Sequence, residues 1–576
     1  MADWYKTSKE GGGGETKASE LSFCSRRSPF LCRNGCVASS QPLASTIGLD
    51  LLRQGANAAD AAVAVAAALA VTEPCSTGLG GDMFCLYYDA STKKVSAVNG
   101  SGQSPAALTH ELLCEKYPDG KGGVDADAFS MSPHSVTIPG TAQGWEDTVN
   151  RFGSGKFTLA QLLEPAAELA EQGFPVTPVT SHHWCSGMDS IKQWLKDSNG
   201  LIPLTVNGKD APRAGDILKN PDMARVLRDL GAQGAQKGFY QGQTGKAIVE
   251  RLQELGGCVA ESDLASHTTL FPDPIGVDYR NHRLWQVPPN GQGLAGLVAL
   301  SGIRHLEETK CVPSVETMSD TERFHLMIEM MRLGFADARA HISCPSTLQV
   351  SPETLLDRQR IGDRAAKLFD PTKAVVVGVP DAASCTVSFQ VVDKDGNAIS
   401  FVNSNFMGFG TGIVPKGCGF TLQNRGSGFT LGPPEHPNFV GPSKRPYHTI
   451  IPGMLTHSDT GELYATISNM GGNMQPQGHM QLTLNLLARG MDAQTAIDQP
   501  RFCIADGTQG GTVSIEEGVE NDTIQALQKM GHNVVGNVNG HGRSLFGRAQ
   551  IIVRNRKNGV LWAGSDGRAD GCAMGY

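Results

Sequence analysis

The sequence predicts an α+β protein in which helices cover a largely antiparallel sheet. Three observations carry this. Helical apolar spacing dominates from residue 105 to about 370. Past residue 384 the texture changes to short strand-like runs separated by Gly turns. Two further strand-like runs, 83–88 and 94–98, stand ahead of the helical half. At 576 residues the chain exceeds the ~250–300 at which a single core stops growing, so two lobes or one large layered domain are expected. Charged residues make up 18% against a typical ~25%, and 69 glycines are an excess, which excludes disorder for the bulk and implies many tight turns.

In chain order, residues 1–35, with the glycine run 11–14, read as a mobile N-terminal tail. The stretch 42–71 predicts two helices broken at Gly55, the second so rich in alanine that it can pack very closely on a sheet. The turn Gly78-Leu79-Gly80-Gly81-Asp82 then leads into the first two strands. Helices are predicted over 142–152, 159–172, 221–231, 243–255, 290–306, 320–338 and 353–368, interrupted by a hairpin near Val277 and Leu284. The strand-rich end carries two more, near 476–489 and 521–531.

A net charge of −8 without a Lys/Arg cluster argues against a nucleic-acid partner. No run reaches 18 apolar residues, which argues against a membrane span. The 14 cysteines lack paired CxxC spacing, Cys32-x3-Cys36 being the nearest approach, so reduced thiols and a cytoplasmic location are expected. His182-His183 reads as a solvated pair on a helix rather than a metal site. No metal and no cofactor is expected.

The clearest local signal lies at 384–405. Thr386, Ser388 and Gln390 alternate with Val387, Phe389 and Val391, so the first three share one face of a strand. Asp393-Lys394-Asp395-Gly396-Asn397 is a hairpin turn, with the return strand at 398–403. With Asp395-Gly396 as the loop, Lys394 pairs with Asn397, and Thr386 lies opposite Asn405 and beside Ser404. On its own, such a hairpin does not mark an active site.

Several strings resemble the gamma-glutamyltransferase (glutathione hydrolase) family. They are the junction from Thr386-Val387-Ser388 to Ala398, Gly408-Phe409-Gly410-Thr411-Gly412, Lys444-Arg445-Pro446 with Pro452, Gly471-Gly472, Gly564-Ser565-Asp566-Gly567-Arg568, and Gly78 to Asp82 upstream. They run in the family's order from about residue 36 to Tyr576. Ser404-Asn405-Phe406-Met407 and the stretch from Arg445 to Pro452 resemble the branch of gamma-glutamyltransferase-like hydrolases.

The resemblance implies a four-layer αββα sandwich of the N-terminal-nucleophile hydrolase type, made as a precursor that cuts itself between Cys385 and Thr386. The large chain would be 36–385 behind the tail, the small chain 386–576, and the two would stay together as a heterodimer, or as a dimer of heterodimers. Thr386 would be the nucleophile, with its own α-amine as base, so the lack of a GxSxG elbow is no objection. Ser404 would orient Thr386, and Gly471 and Gly472 would hold the oxyanion. Substrate-binding residues are expected in Asn405, one before the pattern's Asn, and in His448-Thr449, which replace its serine pair, while Arg425 and His448 are additions that would serve a different acid, such as a dicarboxylic half-amide. The pattern's carboxylate-gripping Arg is replaced by Ser101, its amine-gripping Asp by Gly428, and its Asn by Phe406. The implied activity is therefore acyl transfer from a small-molecule amide to water or an amine. Two alternatives are an amidohydrolase acting on another short dicarboxylic amide and an uncleaved non-catalytic scaffold.

Overall fold

Every residue of the helix Ala58–Thr72 is buried, because alanine lets its backbone lie close to whatever packs on either side. Asn57 caps it, accepting from the Ala59 and Asp60 N–H groups while Asp60 answers back. The helix packs on one sheet, whose strands run in the order Cys572–Gly575, Cys36–Ser39, Cys385–Val392, Ala398–Phe406, Asp82–Asp89 and Lys94–Gly100. The structure, a computed structural model, describes residues 27–194, 202–375, 385–505 and 511–576.

A second sheet holds Phe30–Cys32, Leu561–Ser565, Arg548–Arg554, Leu463–Met470, Gly453–His457, His282–Gln286 and Ile275–Tyr279, in that order. Among the described residues the strand pairings in both sheets are antiparallel. Phe84, Leu86 and Val402 of the first sheet meet Met454, Leu463 and Ile552 of the second in one apolar cluster, so the sheets lie face to face. Helices Gly293–Glu308, Asp320–His341 and Met474–Leu487 cover the outer face of the second sheet. The result is a four-layer αββα sandwich.

The expected break at Gly55 is present: helices Pro42–Arg53 and Ala58–Thr72 flank it, and Gly55 has φ +98°. The helix expected over 353–368 is two, Pro352–Leu355 and Arg358–Leu368. Of the expected tail, residues 1–26 lie outside the described residues, and Phe30–Cys32 is an edge strand paired with Leu561–Ser565. His182 and His183 do lie on a helix, Pro178–Lys192, but they are part-buried, with the His182 ring stacked on His541 at 3.7 Å. Among the described residues no helix is long and apolar enough to cross a membrane.

The hairpin register differs by one from the expectation. Val392 pairs with Ala398 and Val387 with Asn403, because the loop contains Lys394, Asp395 and Gly396 rather than two residues. Gly396 takes φ +86° to close it. The register then slips between Asn403 and Phe406, so Thr386 faces Ser404 and Asn405 across a β-bulge.

Candidate active site

Thr386, Ser388, Gln390 and Val392 face the second sheet, as the alternation predicts: Gln390 Nε2 donates to Ser468 Oγ at 2.6 Å across the gap. Thr386 is wholly buried, and its hydroxyl donates to Ser404 Oγ at 3.1 Å. One strand further on, Asp82 lies opposite Ser404. Three neighbouring strands thus set Asp82, Ser404 and Thr386 in a row.

Arg425 closes this row from a short 3-10 turn, Arg425–Gly428. Its Nη1 donates to Thr449 Oγ1 at 2.8 Å, its Nη2 lies 3.4 Å from Ser404 Oγ, and its guanidinium sits 4.2 Å from the Phe406 ring centre. The Nε–H has no acceptor among the described residues, and no carboxylate there forms an ion pair with this arginine. Burial lowers its pKa to about 9 against the attraction of Asp82, so the side chain remains a cation at neutral pH.

The counter-charge is Asp82. Its Oδ1 accepts from Gly102 N, Gly140 N and Gln423 Nε2 at 3.1–3.2 Å, and its Oδ2 from His448 Nε2 at 2.9 Å. Burial alone would push this carboxyl up; the hydrogen bonds from His448 and Gln423 and the charge of Arg425 outweigh it and hold the acid below its ordinary value. His448 Nδ1 accepts from Ile450 N at 3.3 Å, so its proton sits on Nε2. Burial, then the charge of Arg425, lowers its pKa to about 4, and the imidazole is neutral.

Gly471 and Gly472 end the strand Leu463–Met470 with φ of +123° and +56°, values suited to glycine. Gly471 O accepts from Met474 N, and Gly472 O from Gln475 N and Gln292 Nε2, which orients both peptide planes. Gln292 Nε2 also reaches Thr449 O at 2.6 Å. A chain of hydrogen bonds therefore joins Thr386 to Gly472 through Ser404, Arg425, Thr449 and Gln292.

A cavity of about 420 Å³ opens beside Phe406 and Thr449, walled by Met407, Phe429 and Tyr447 and floored partly by Gly428. A Cβ on Gly428 would lie 2.6 Å from Tyr447 O, so the backbone here excludes any side chain, an Asp included. Ser101 is wholly buried and bonded to Asn290. Asn405 does not join the row: its Nδ2 reaches Pro74 O and Thr421 Oγ1 instead. The structure thus brings Thr386, Ser404, Arg425, His448 and Thr449 together, links Gly472 to them, and turns Asn405 away. Sequence reasoning missed Asp82 as the partner of His448, although it ends the Gly78–Asp82 string, and it missed Gln292 and Gln423, neutral amides that carry no motif.

A family model described as gamma-glutamyltranspeptidase matches residues 44–576. The chain belongs to the gamma-glutamyltranspeptidase family. Within it, the chain is 33% identical to the glutathione hydrolase-like YwrD proenzyme of Bacillus subtilis, over 94% of this chain and 98% of that one. It is 30% identical to the oxamate amidohydrolase proenzyme of Klebsiella pneumoniae, with the same two coverages. Among solved structures, the cephalosporin acylase from Bacillus halodurans superposes with a TM-score of 0.85 at 36% identity, covering 96% of this chain and 97% of that one. Fold and family together make this chain a hydrolase of the gamma-glutamyltranspeptidase and acylase kind, which corresponds with the N-terminal-nucleophile architecture.

Proposed function

We propose that this chain is a self-processing amidase whose nucleophile is Thr386 and whose substrates are short amides with an anionic acyl group. Arg425 carries the reading. A guanidinium buried next to the partner of Thr386, with a spare N–H and no direct ion pair among the described residues, is a receptor for a carboxylate. Two relatives, an oxamate amidohydrolase and a cephalosporin acylase, support amide chemistry beyond glutathione.

Maturation begins when Thr386 Oγ1 attacks the Cys385 carbonyl carbon. The C–N bond breaks as the ester forms, the hydroxyl proton passes to the departing nitrogen, and water hydrolyses the ester. The products are a large chain ending in a Cys385 carboxylate and a small chain, 386–576, beginning with a free Thr386 amine. In turnover that amine, with an ordinary pKa of about 7.7–8.0, takes the hydroxyl proton, and Thr386 attacks the substrate amide. Gly471 and Gly472 stabilise the oxyanion, Ser404 orients the hydroxyl, and the leaving amine departs with the proton. Water, or an acceptor amine, then removes the acyl group.

The test is a hydrolysis screen of oxamyl, glutaryl, γ-glutamyl and neutral butyryl amides on wild type and Arg425→Gln. Loss of one charge-assisted contact is worth roughly 1.5–3 kcal/mol, so kcat/KM for the anionic acyl amides should fall about 10- to 100-fold more than for the butyryl amide. Equal losses on all four would reject the carboxylate role. A wild-type chain that stays at 61.0 kDa would reject self-processing.

A further inference from the structure

Among the polar side chains that the helix Asp320–His341 buries, His325, Glu329 and Arg332 stand at helical spacing among Phe, Leu, Ile and Met. Buried His532 joins them from beyond the helix Asn521–Lys529. Their hydrogen bonds run in one direction. Arg332 Nη1 donates to His532 Nδ1 at 3.3 Å, His532 Nε2 to His325 Nδ1 at 2.7 Å, and His325 Nε2 to Asp370 O at 2.8 Å. This order needs both rings neutral, and burial with the charge of Arg332 lowers the His532 pKa to about 3. Glu329 accepts from Arg332 Nη1 at 3.2 Å and, through its other oxygen, from Val375 N at 2.8 Å. Alongside, Ala374 N donates to Met530 O at 2.7 Å.

The cluster lies outside the row around Thr386, yet it grips the stretch 370–375, which leads through 376–384 to Cys385. Filling this space with charges and imidazoles gains little stability, since apolar side chains of similar volume commonly pack as well or better. What the polar groups add is a directed hold on particular backbone atoms, Asp370 O and Val375 N. They also span the two proposed chains, with His532 and Met530 in the small one and the rest in the large one.

We infer that His325, Glu329, Arg332 and His532 are positioning residues for self-cleavage, clamping 370–375 so that the Cys385–Thr386 peptide is presented to the Thr386 hydroxyl. The inference rests on the proposed cut at that bond. Strand pairing holds Thr386 from one side, through Ala398–Phe406 and Cys36–Ser39. The clamp anchors the far end of the connecting stretch. Restricting both ends limits the orientations open to the scissile carbonyl, which raises the rate of an intramolecular attack. After the cut, the same contacts keep the end of the large chain on the small one.

The experiment follows loss of the 61.0 kDa precursor after cell-free synthesis. Val375→Pro removes the N–H that Glu329 accepts and stiffens the backbone there, at a residue 40% exposed. Glu329→Gln keeps the shape but leaves both donors without a charged acceptor and sets the amide NH2 against one of them. Both should cut at least tenfold more slowly than wild type, while the matured fraction of each keeps kcat/KM within about threefold. Glu329→Asp should recover part of the rate. Wild-type cutting rates in Val375→Pro and soluble Glu329→Gln would overturn the clamp, as would a parallel loss of cutting and of mature turnover. If wild type itself does not cut, the proposed cleavage fails rather than the clamp.

Discussion

His448 Nε2 donates to Asp82 Oδ2 across 2.9 Å with both side chains wholly buried. Asp82 also faces Ser404 across the sheet, and Ser404 accepts the Thr386 hydroxyl. A neutral imidazole and a carboxylate therefore stand two strands from the proposed nucleophile. The carboxylate offsets the buried charge of Arg425 from a distance, so the guanidinium keeps no direct carboxylate partner among the described residues.

Thr386→Ala should yield one uncut chain without amidase activity, because cut and turnover need the same hydroxyl. Thr386→Ser keeps that hydroxyl and should still cut. Mature-size fragments from the alanine variant on a denaturing gel would remove Thr386 from the mechanism.

Gly472→Val should lower turnover of the cut enzyme by about 10²–10³, the usual effect of losing one oxyanion donor. At φ +56° a β-branched residue forces the backbone to move, and the N–H moves with it. Burst titration of mature sites separates this from poor maturation, and a wild-type rate per site would place the oxyanion hole elsewhere.

Glutathione should be a poor substrate. By the family's pattern Ser101 and Gly428 replace a cationic and an anionic group that would grip the glutamyl ends, and two lost charge-assisted contacts would lower kcat/KM by about 10² or more. Gly428→Asp should not restore the activity, because its Cβ would meet Tyr447 O at 2.6 Å. It should instead lower Tm. The check is kcat/KM for glutathione beside a glutaryl amide lacking the α-amine and α-carboxylate; a much higher value for glutathione would show other contacts for those groups.

Acid should destabilise the fold. Burial, first among the causes, holds His183, His479 and His532 at pKa values of about 3 and His267 and His448 at about 4. Unfolded histidines bind a proton below about pH 6.5. The unfolded chain thus binds more protons over the window from 6.5 down to about 4. Stability is complete above that window and falls within it, by at most ~1.4 kcal/mol per pH unit for each histidine. Thermal melts of uncut Thr386→Ala at pH 7 and pH 5 measure this, and an unchanged Tm would contradict it.

Local periodicity made most of the layering readable. The helix Leu159–Gln172 and the faces of Cys385–Val392 follow from spacing that short-range sterics enforce. The hairpin register was less readable, because a two-residue and a three-residue loop both suit Asp-Gly, and only the packed strands choose between them. Thr386 and Ser404 are singled out as candidates through the resemblance, since a threonine and a serine on strands carry no signal of their own.

By itself the sequence determined the alternating face that carries Thr386, the alanine helix able to lie close against a sheet, and the absence of charged side chains at Ser101 and Gly428. These are properties of single residues and their near neighbours. Tertiary structure alone decided that Asp82 meets His448, that Arg425 has no direct carboxylate partner among the described residues, that Asn405 turns away, and that Glu329 holds Val375. The reason is distance along the chain. Asp82 and His448 are 366 positions apart, and which buried charge finds which partner is settled only when both sheets close and water is excluded.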